Sequence, residues 1–222
     1  MTLITILGSC RQYSIKDIYN CTNIQEKLTY PHYTKEILQT IKYLKYKNLN
    51  DYEIQYTFRT PILNKLNLNY ELLKNEYDNT NFFIIEIASK LYYKYDNKYV
   101  HHIAIENNYN LDIKNNIEVG KLTKFEIEND ILEIKEELNK PFIIVSHLVT
   151  RNYGDRFELK NWLEDICLRN NILFIDPIKE LREKNYNLDE LFLDEKNLAH
   201  YNNNGHNIIK NIYKEYIEKI NI

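Results

Sequence analysis

Gly8-Ser9-Cys10 sets a hydroxyl and a thiol side by side directly after a short apolar run, Leu3–Leu7, and ahead of the polar pair Arg11-Gln12. An apolar β-run ending in Gly and two small reactive residues delivers those groups to the carboxyl edge of a sheet, where open α/β folds bind their ligands. Only four glycines occur in 222 residues, so one at this place answers a backbone need. Read without chemistry, the triplet is a small-residue turn closing a strand. A second chemical cluster lies near the other end, Asp194-Glu195-Lys196-Asn197-Leu198-Ala199-His200, continuing to Gly205-His206. A His in a polar loop before a helix suits a general base. The plainer reading is a helix N-terminal loop with Asn caps. A nucleophile needs a base and the base needs an orienting group, so the two clusters gain weight together.

Further candidates surround the fourth apolar run: Ser146-His147, then Thr150-Arg151 and Gly154-Asp155-Arg156. Only six arginines occur in the chain. Guanidinium groups suit bidentate phosphate binding, so Arg151 or Arg156 is expected to contact a phosphate; the competing reading is a surface ion pair with Asp155 or Glu158. His147 is expected on a site wall; His101-His102 either line the site from residues 92–116 or, on the plainer reading, form an exposed loop pair. No set of His, Cys or Asp shows metal-type spacing along the chain, so no metal is expected.

These residues need a scaffold. Five apolar runs rich in β-branched or aromatic residues read as strands: Leu3–Leu7, Tyr52–Phe58, Phe82–Ala88, Pro141–Leu148 and Ile172–Ile175. Three are nearly continuous apolar segments, as strands buried on both faces of a parallel sheet must be. Helical spacing separates them. Ile37, Leu38, Ile41 and Leu44 share one face of Thr34–Tyr46. Phe125, Ile127, Ile131, Ile134 and Leu138 stripe Lys121–Leu138. Leu159, Trp162, Leu163 and Ile166 stripe Phe157–Asn170, and Ile208, Ile209, Ile212, Tyr213 and Tyr216 stripe Asn207–Ile220. The alternation predicts an α/β fold, a three-layer α/β/α sandwich on a five-stranded parallel sheet of flavodoxin-like type, in one domain over residues 1–222. Residues 92–116, with Tyr99-Val100-His101-His102-Ile103-Ala104 as an extra strand, read as an insertion over the active edge.

Composition narrows the function classes. Lys and Arg number 29 against 32 Asp and Glu, a net charge of −3, with no basic footprint for nucleic acid. Asn, Ile, Lys and Tyr are abundant throughout, as an AT-rich genome would produce, so the 20 Tyr do not argue for base stacking. No apolar run approaches the roughly 20 residues a membrane-spanning helix needs, and the N-terminus lacks a signal-peptide pattern. Cys10, Cys21 and Cys167 are an odd number without metal spacing, which fits a reducing, cytoplasmic setting.

With strand, Gly-Ser-Cys and the His200 block in place, the chain resembles the SGNH/GDSL hydrolase superfamily, which carries Gly-Asp-Ser after its first strand and Asp-x-x-His before its last helix, with a Gly-His pair following. Gly8-Ser9-Cys10 matches the first block; His200 with Gly205-His206 matches the last in spacing. The departures direct the reading. The family's nucleophile position falls on Cys10, and Asn197 stands where the family has Asp. Phe58-Arg59-Thr60-Pro61 lacks the second block's Gly, and Glu86-Ile87-Ala88-Ser89-Lys90 lacks the third block's Gly-x-Asn-Asp. The backbone N–H of Cys10 can still serve an oxyanion, with Arg59, Thr60 or Ser89 as substitutes for the missing donors.

The pattern is most similar to the SGNH-like branch of polysaccharide-biosynthesis acyltransferases with Gly-Asn-Cys or Gly-Ser-Cys. The resemblance implies transfer of an acetyl group from acetyl-CoA to a sugar, an amino sugar or a nucleotide-sugar, with Cys10 as nucleophile or lining the acyl-donor pocket. His200 would be the base, Asp194 or Asn197 its orienter, and Ser9 a supporting donor or the alternative nucleophile. Gly8, Arg11, Arg59, Ser89, His147, Arg151 and Arg156 would line the substrate and CoA site. The alternatives are an esterase or deacetylase of the same fold and a non-catalytic carbohydrate- or nucleotide-binding domain.

Overall fold

The computed structural model describes residues 2–65, 67–106, 109, 111–193 and 200–220. Its larger sheet has five parallel strands: β1 (Leu3–Leu7), β2 (Asn20–Cys21), β3 (Phe82–Ile87), β7 (Phe142–Ser146) and β8 (Leu173–Ile175), in the order β2-β1-β3-β7-β8. Counted within this sheet alone the order is 2-1-3-4-5. That is the flavodoxin-like doubly wound arrangement, whose switch point lies between the first and third strands. The second sheet joins β4 (Leu91–Tyr95), β5 (Lys98–Tyr99) and β6 (Glu118–Lys121) in antiparallel fashion.

Strand alternation sorts the core into two layers. On one face Phe83, Ile85, Ile87 and Ile144 pack under α2 (Thr34–Tyr46), α5 (Tyr70–Asn79), α6 (Lys124–Leu138) and α7 (Asp155–Arg169). On the other, Ile4, Ile6, Phe82, Ile84, Ile143 and Val145 pack under α8 (Pro177–Glu183) and α9 (Asn203–Glu218). The three-layer sandwich and the long helices match the periodicity, with Phe125 as an exception: it is exposed. No helix among the described residues is long and apolar enough to cross a membrane.

One expected strand is a helix. Tyr52–Phe58 becomes α3 (Asp51–Thr57), and the edge of the sheet is taken by Asn20–Cys21. The reason lies in the residues before it. Asn50 accepts from the Glu53 N–H while the Glu53 carboxylate accepts from the Asn50 N–H, a reciprocal box that nucleates a helix over an ambiguous apolar run. Arg59 and Thr60 therefore do not sit at a strand's carboxyl end; they open α4 (Arg59–Asn64), and the Thr60 hydroxyl and N–H turn to the Glu26 and Leu28 carbonyls. The insertion is likewise corrected. It is the three-stranded sheet, and His101-His102 enter a 3-10 turn (His102–Ile105), not an extra strand. Tyr33 ties this sheet to the body, its hydroxyl donating to the Val100 carbonyl at 2.7 Å.

Candidate functional site

The switch point is occupied by a buried carboxylate. Glu86 lies on β3, one residue from its end, and is 1 % exposed. It shares the strand face of Phe82 and Ile84, where an apolar side chain would serve packing alone. Its two oxygens take four donors. Oε2 accepts from the Ser9 N–H at 2.8 Å and from the Ser9 hydroxyl; Oε1 accepts from Arg11 Nε and from His147 Nδ1, each at 3.1 Å. Four donors satisfy a carboxylate's lone pairs. The ends of β1, β3 and β7 are thus fastened together by one side chain.

Charge follows from this packing. Burial alone would push the Glu86 carboxyl up, but Arg11, His147 and Ser9 outweigh it and hold the group well below the usual carboxylate range. His147, 4 % exposed, is pushed down to about 4, by burial first and by the Arg11 charge, against the pull of Glu86. At neutral pH the pair is an ionised carboxylate and a neutral imidazole. The carboxylate only accepts, so Nδ1 carries the proton and Nε2 keeps its lone pair; Nε2 is buried and has no hydrogen-bond partner among the described residues. A carboxylate that fixes an imidazole tautomer and leaves the far nitrogen without a partner has the hydrogen-bond arrangement of the base and orienter of a triad.

A proton equilibrium tests this assignment. His147 titrates near 6.5 when unfolded and near 4 when folded, so its neutral form favours the native state. That contribution is full above 6.5 and is lost as the pH falls towards 4, with a slope of up to about 1.4 kcal/mol per pH unit. Urea melts of the wild type and His147→Gln between pH 7 and 4 should converge by that amount; parallel curves would contradict it.

The Gly8-Ser9-Cys10 loop is held from the other side by Gln25, in the short α1 (Ile24–Lys27), whose amide donates to the carbonyls of Gly8 and of Ser9, the latter at 3.0 Å. A Cβ on Gly8 would lie 2.7 Å from Glu86 Cβ and 3.3 Å from its backbone nitrogen. Close approach of two strands' ends is the backbone need that the glycine answers. Gly8→Ala is expected to cost about 1–3 kcal/mol by overpacking, read as a lowered denaturation midpoint.

Ser9 and Cys10 are now distinguishable. The Ser9 hydroxyl donates to Glu86, and its oxygen accepts from the Arg11 N–H at 3.4 Å. Cys10 begins the 3-10 turn Cys10–Asp17, is partly exposed, and its N–H makes no hydrogen bond among the described residues. Tyr13 hydrogen-bonds Tyr30, over whose ring the Arg59 guanidinium lies at 4.6 Å.

Beside this edge opens a cleft of about 320 Å³, lined by His32, Ser89, Lys90, Tyr93, His102 and Arg156 among others. Arg156 is close enough to feel both Arg11 and Glu86. The ion pairs weighed against it go elsewhere: Asp155 pairs with Lys90 and Lys121, Glu158 with Lys90, and Arg156 has no ion-pair partner among the described residues. Arg151 is exposed, over the Tyr153 ring at 5.9 Å. Ser89 lines the cleft, but its N–H donates to the His32 carbonyl at 2.9 Å and its hydroxyl oxygen accepts from the Leu91 N–H at 2.9 Å. Arg11 is the buried counter-ion of Glu86.

His200 is half-buried, just before the bridge of Tyr201 to Phe192, and its carbonyl accepts from the Leu193 N–H at 3.1 Å. His206 lies in the first turn of α9. Asp194 and Asn197 lie outside the described residues.

Comparison with family models, curated proteins and solved structures finds no match.

The residue that sequence reasoning passed over is Glu86. Its signal is plain in retrospect: a lone carboxylate inside the apolar run Phe82–Ala88, and a buried charge is informative where a buried Ile is not. His32 carries no such signal.

Proposed function

We propose that this chain catalyses acyl transfer through a thioester on Cys10, with His147 as the base and Glu86 as its orienter. The observation that supports this best is the Glu86 carboxylate, which binds the residue before Cys10 and a histidine whose Nε2 is left free. The Cys10 thiol gives its proton to His147 Nε2, and the sulfur attacks the acyl carbonyl of a thioester donor such as acetyl-CoA. The bond to the CoA sulfur breaks, and that sulfur takes the proton. A sugar hydroxyl or amine then loses its proton to His147 and attacks; the bond to Cys10 breaks and the thiol re-forms. The N–H of Cys10 suits the oxyanion, and Arg156 in the cleft suits a phosphate of CoA or of a nucleotide-sugar.

The test is incubation with acetyl-CoA and a panel of amino sugars and nucleotide-sugars, following acetylated product and an acetyl adduct on Cys10 by mass spectrometry. Acceptor-dependent CoA release that His147→Gln lowers more than His200→Gln supports the reading. A larger loss in His200→Gln would return the base to His200. Hydrolysis without any acceptor would make the site an esterase of the same fold.

A further inference from the structure

We propose that His32, His101 and His102 form a binding site for a first-row divalent cation, zinc above all, at the wall of the cleft. The three come from two places, His32 from the loop before α2 and the adjacent pair from the 3-10 turn that follows β5, and one ring nitrogen of each lies within 4.8 Å of the others. Ring centroids stand 4.3 Å apart for His101 and His102, and 4.6 and 5.2 Å for His32 against His102 and His101.

The three rings differ in how their nitrogens are engaged. His101 is fully buried, and its Nε2 faces the Tyr30 carbonyl at 3.2 Å. A carbonyl only accepts, so Nε2 carries the proton, and the Nδ1 lone pair accepts a long hydrogen bond from the Ile103 N–H at 3.3 Å, which a bound cation would displace. An imidazole giving its second N–H to a backbone carbonyl is the usual support of a metal ligand. The backbone of His32 is pinned at three points: its N–H donates to Glu36, and its carbonyl accepts from Ala88 and Ser89, all at 2.9 Å. Its ring has no hydrogen-bond partner among the described residues. Glu106 Oε1 lies 3.7 Å from His102 Nε2, a carboxylate positioned to support that ligand or to join it. A divalent cation would take a lone pair from each imidazole, at His101 in exchange for the Ile103 N–H. His32 and His102 line the cleft, so three nitrogens would leave a fourth position open towards it, the pattern of catalytic rather than structural zinc.

The experiment is titration of the full-length, metal-stripped chain with zinc chloride by calorimetry, paired with the visible spectrum of the cobalt(II) form. One equivalent is expected to bind, with the intense visible bands of low-coordinate cobalt and no thiolate charge-transfer band. His102→Ala and His32→Ala should each weaken zinc by more than the about 10–100-fold that loss of a supporting residue costs, while Cys10→Ser and Cys21→Ser should not. Circular dichroism establishes that the variants are folded, and the wild-type cobalt spectrum stands without them. Failure to bind zinc, a cobalt spectrum of octahedral or thiolate type, or unchanged affinity in folded His32→Ala would overturn the site. None of these readouts depends on acyl transfer.

Discussion

Glu86→Gln is expected to lower stability by about 3–5 kcal/mol, the cost of breaking a buried ion pair from one side. The substitution keeps the shape and removes the charge. Arg11, 6 % exposed, then loses its carboxylate, and the new amide must turn a donor towards the donors of Ser9 or of Arg11 and His147. For a chain of this length that corresponds to a fall of about 6–20 °C in Tm. A double-mutant cycle with Arg11→Met separates the pair from the position: the double variant should be more stable than the sum of the two losses implies, because removing both partners leaves neither charge of the pair buried without the other. A Glu86→Gln variant within about 0.5 kcal/mol of wild type, the range of a neutral surface change, would show that the carboxylate is not the fastening of the sheet edge. Acid acts on the same group. Its folded titration lies below its unfolded one, so its contribution is present above about 4.3 and is lost as the pH falls further, towards the folded value.

Cys10→Ala is expected to reduce acetyl transfer by about 10⁴–10⁶-fold, the scale seen when a nucleophile is removed from a triad. The protein should remain folded, since Cys10 is partly exposed and the loop is held through Gly8 and Ser9. Ser9→Ala should behave oppositely. Its hydroxyl is committed to Glu86, so its loss leaves a buried carboxylate short of one donor, at about 1–3 kcal/mol, with a much smaller loss of rate. Initial rates of CoA release, with Tm for each variant, give both numbers. If Ser9→Ala were the dead variant and Cys10→Ala the active one, the thiol mechanism would be wrong and the serine would be the nucleophile.

How far the chain could be read differs by element. The helices α2, α6, α7 and α9 were legible because long amphipathic stripes carry their own period. Four of the five parallel strands were legible as apolar runs. Asn20–Cys21 was not, because a two-residue edge strand has no period, and its place was assigned to Tyr52–Phe58, where the Asn50–Glu53 capping box made a helix instead. At the site, Gly8-Ser9-Cys10 stood out because its residues adjoin in sequence. His147 was expected on a site wall; it is buried against Glu86 and is not among the residues that line the cleft.

By itself, then, the amino-acid sequence determined a doubly wound α/β scaffold with a thiol and a hydroxyl at the end of its first strand, because local pattern and period specify local structure. Only the tertiary structure decided which groups act on one another. Ser9 lies 77 residues from Glu86, and Glu86 lies 61 from His147; their meeting depends on strand order and register. Likewise His32 reaches His101 and His102 only because the second sheet packs against α2 and the Tyr33 that precedes it. Electrostatic partners are set by distance in space, and no spacing along the chain encodes it.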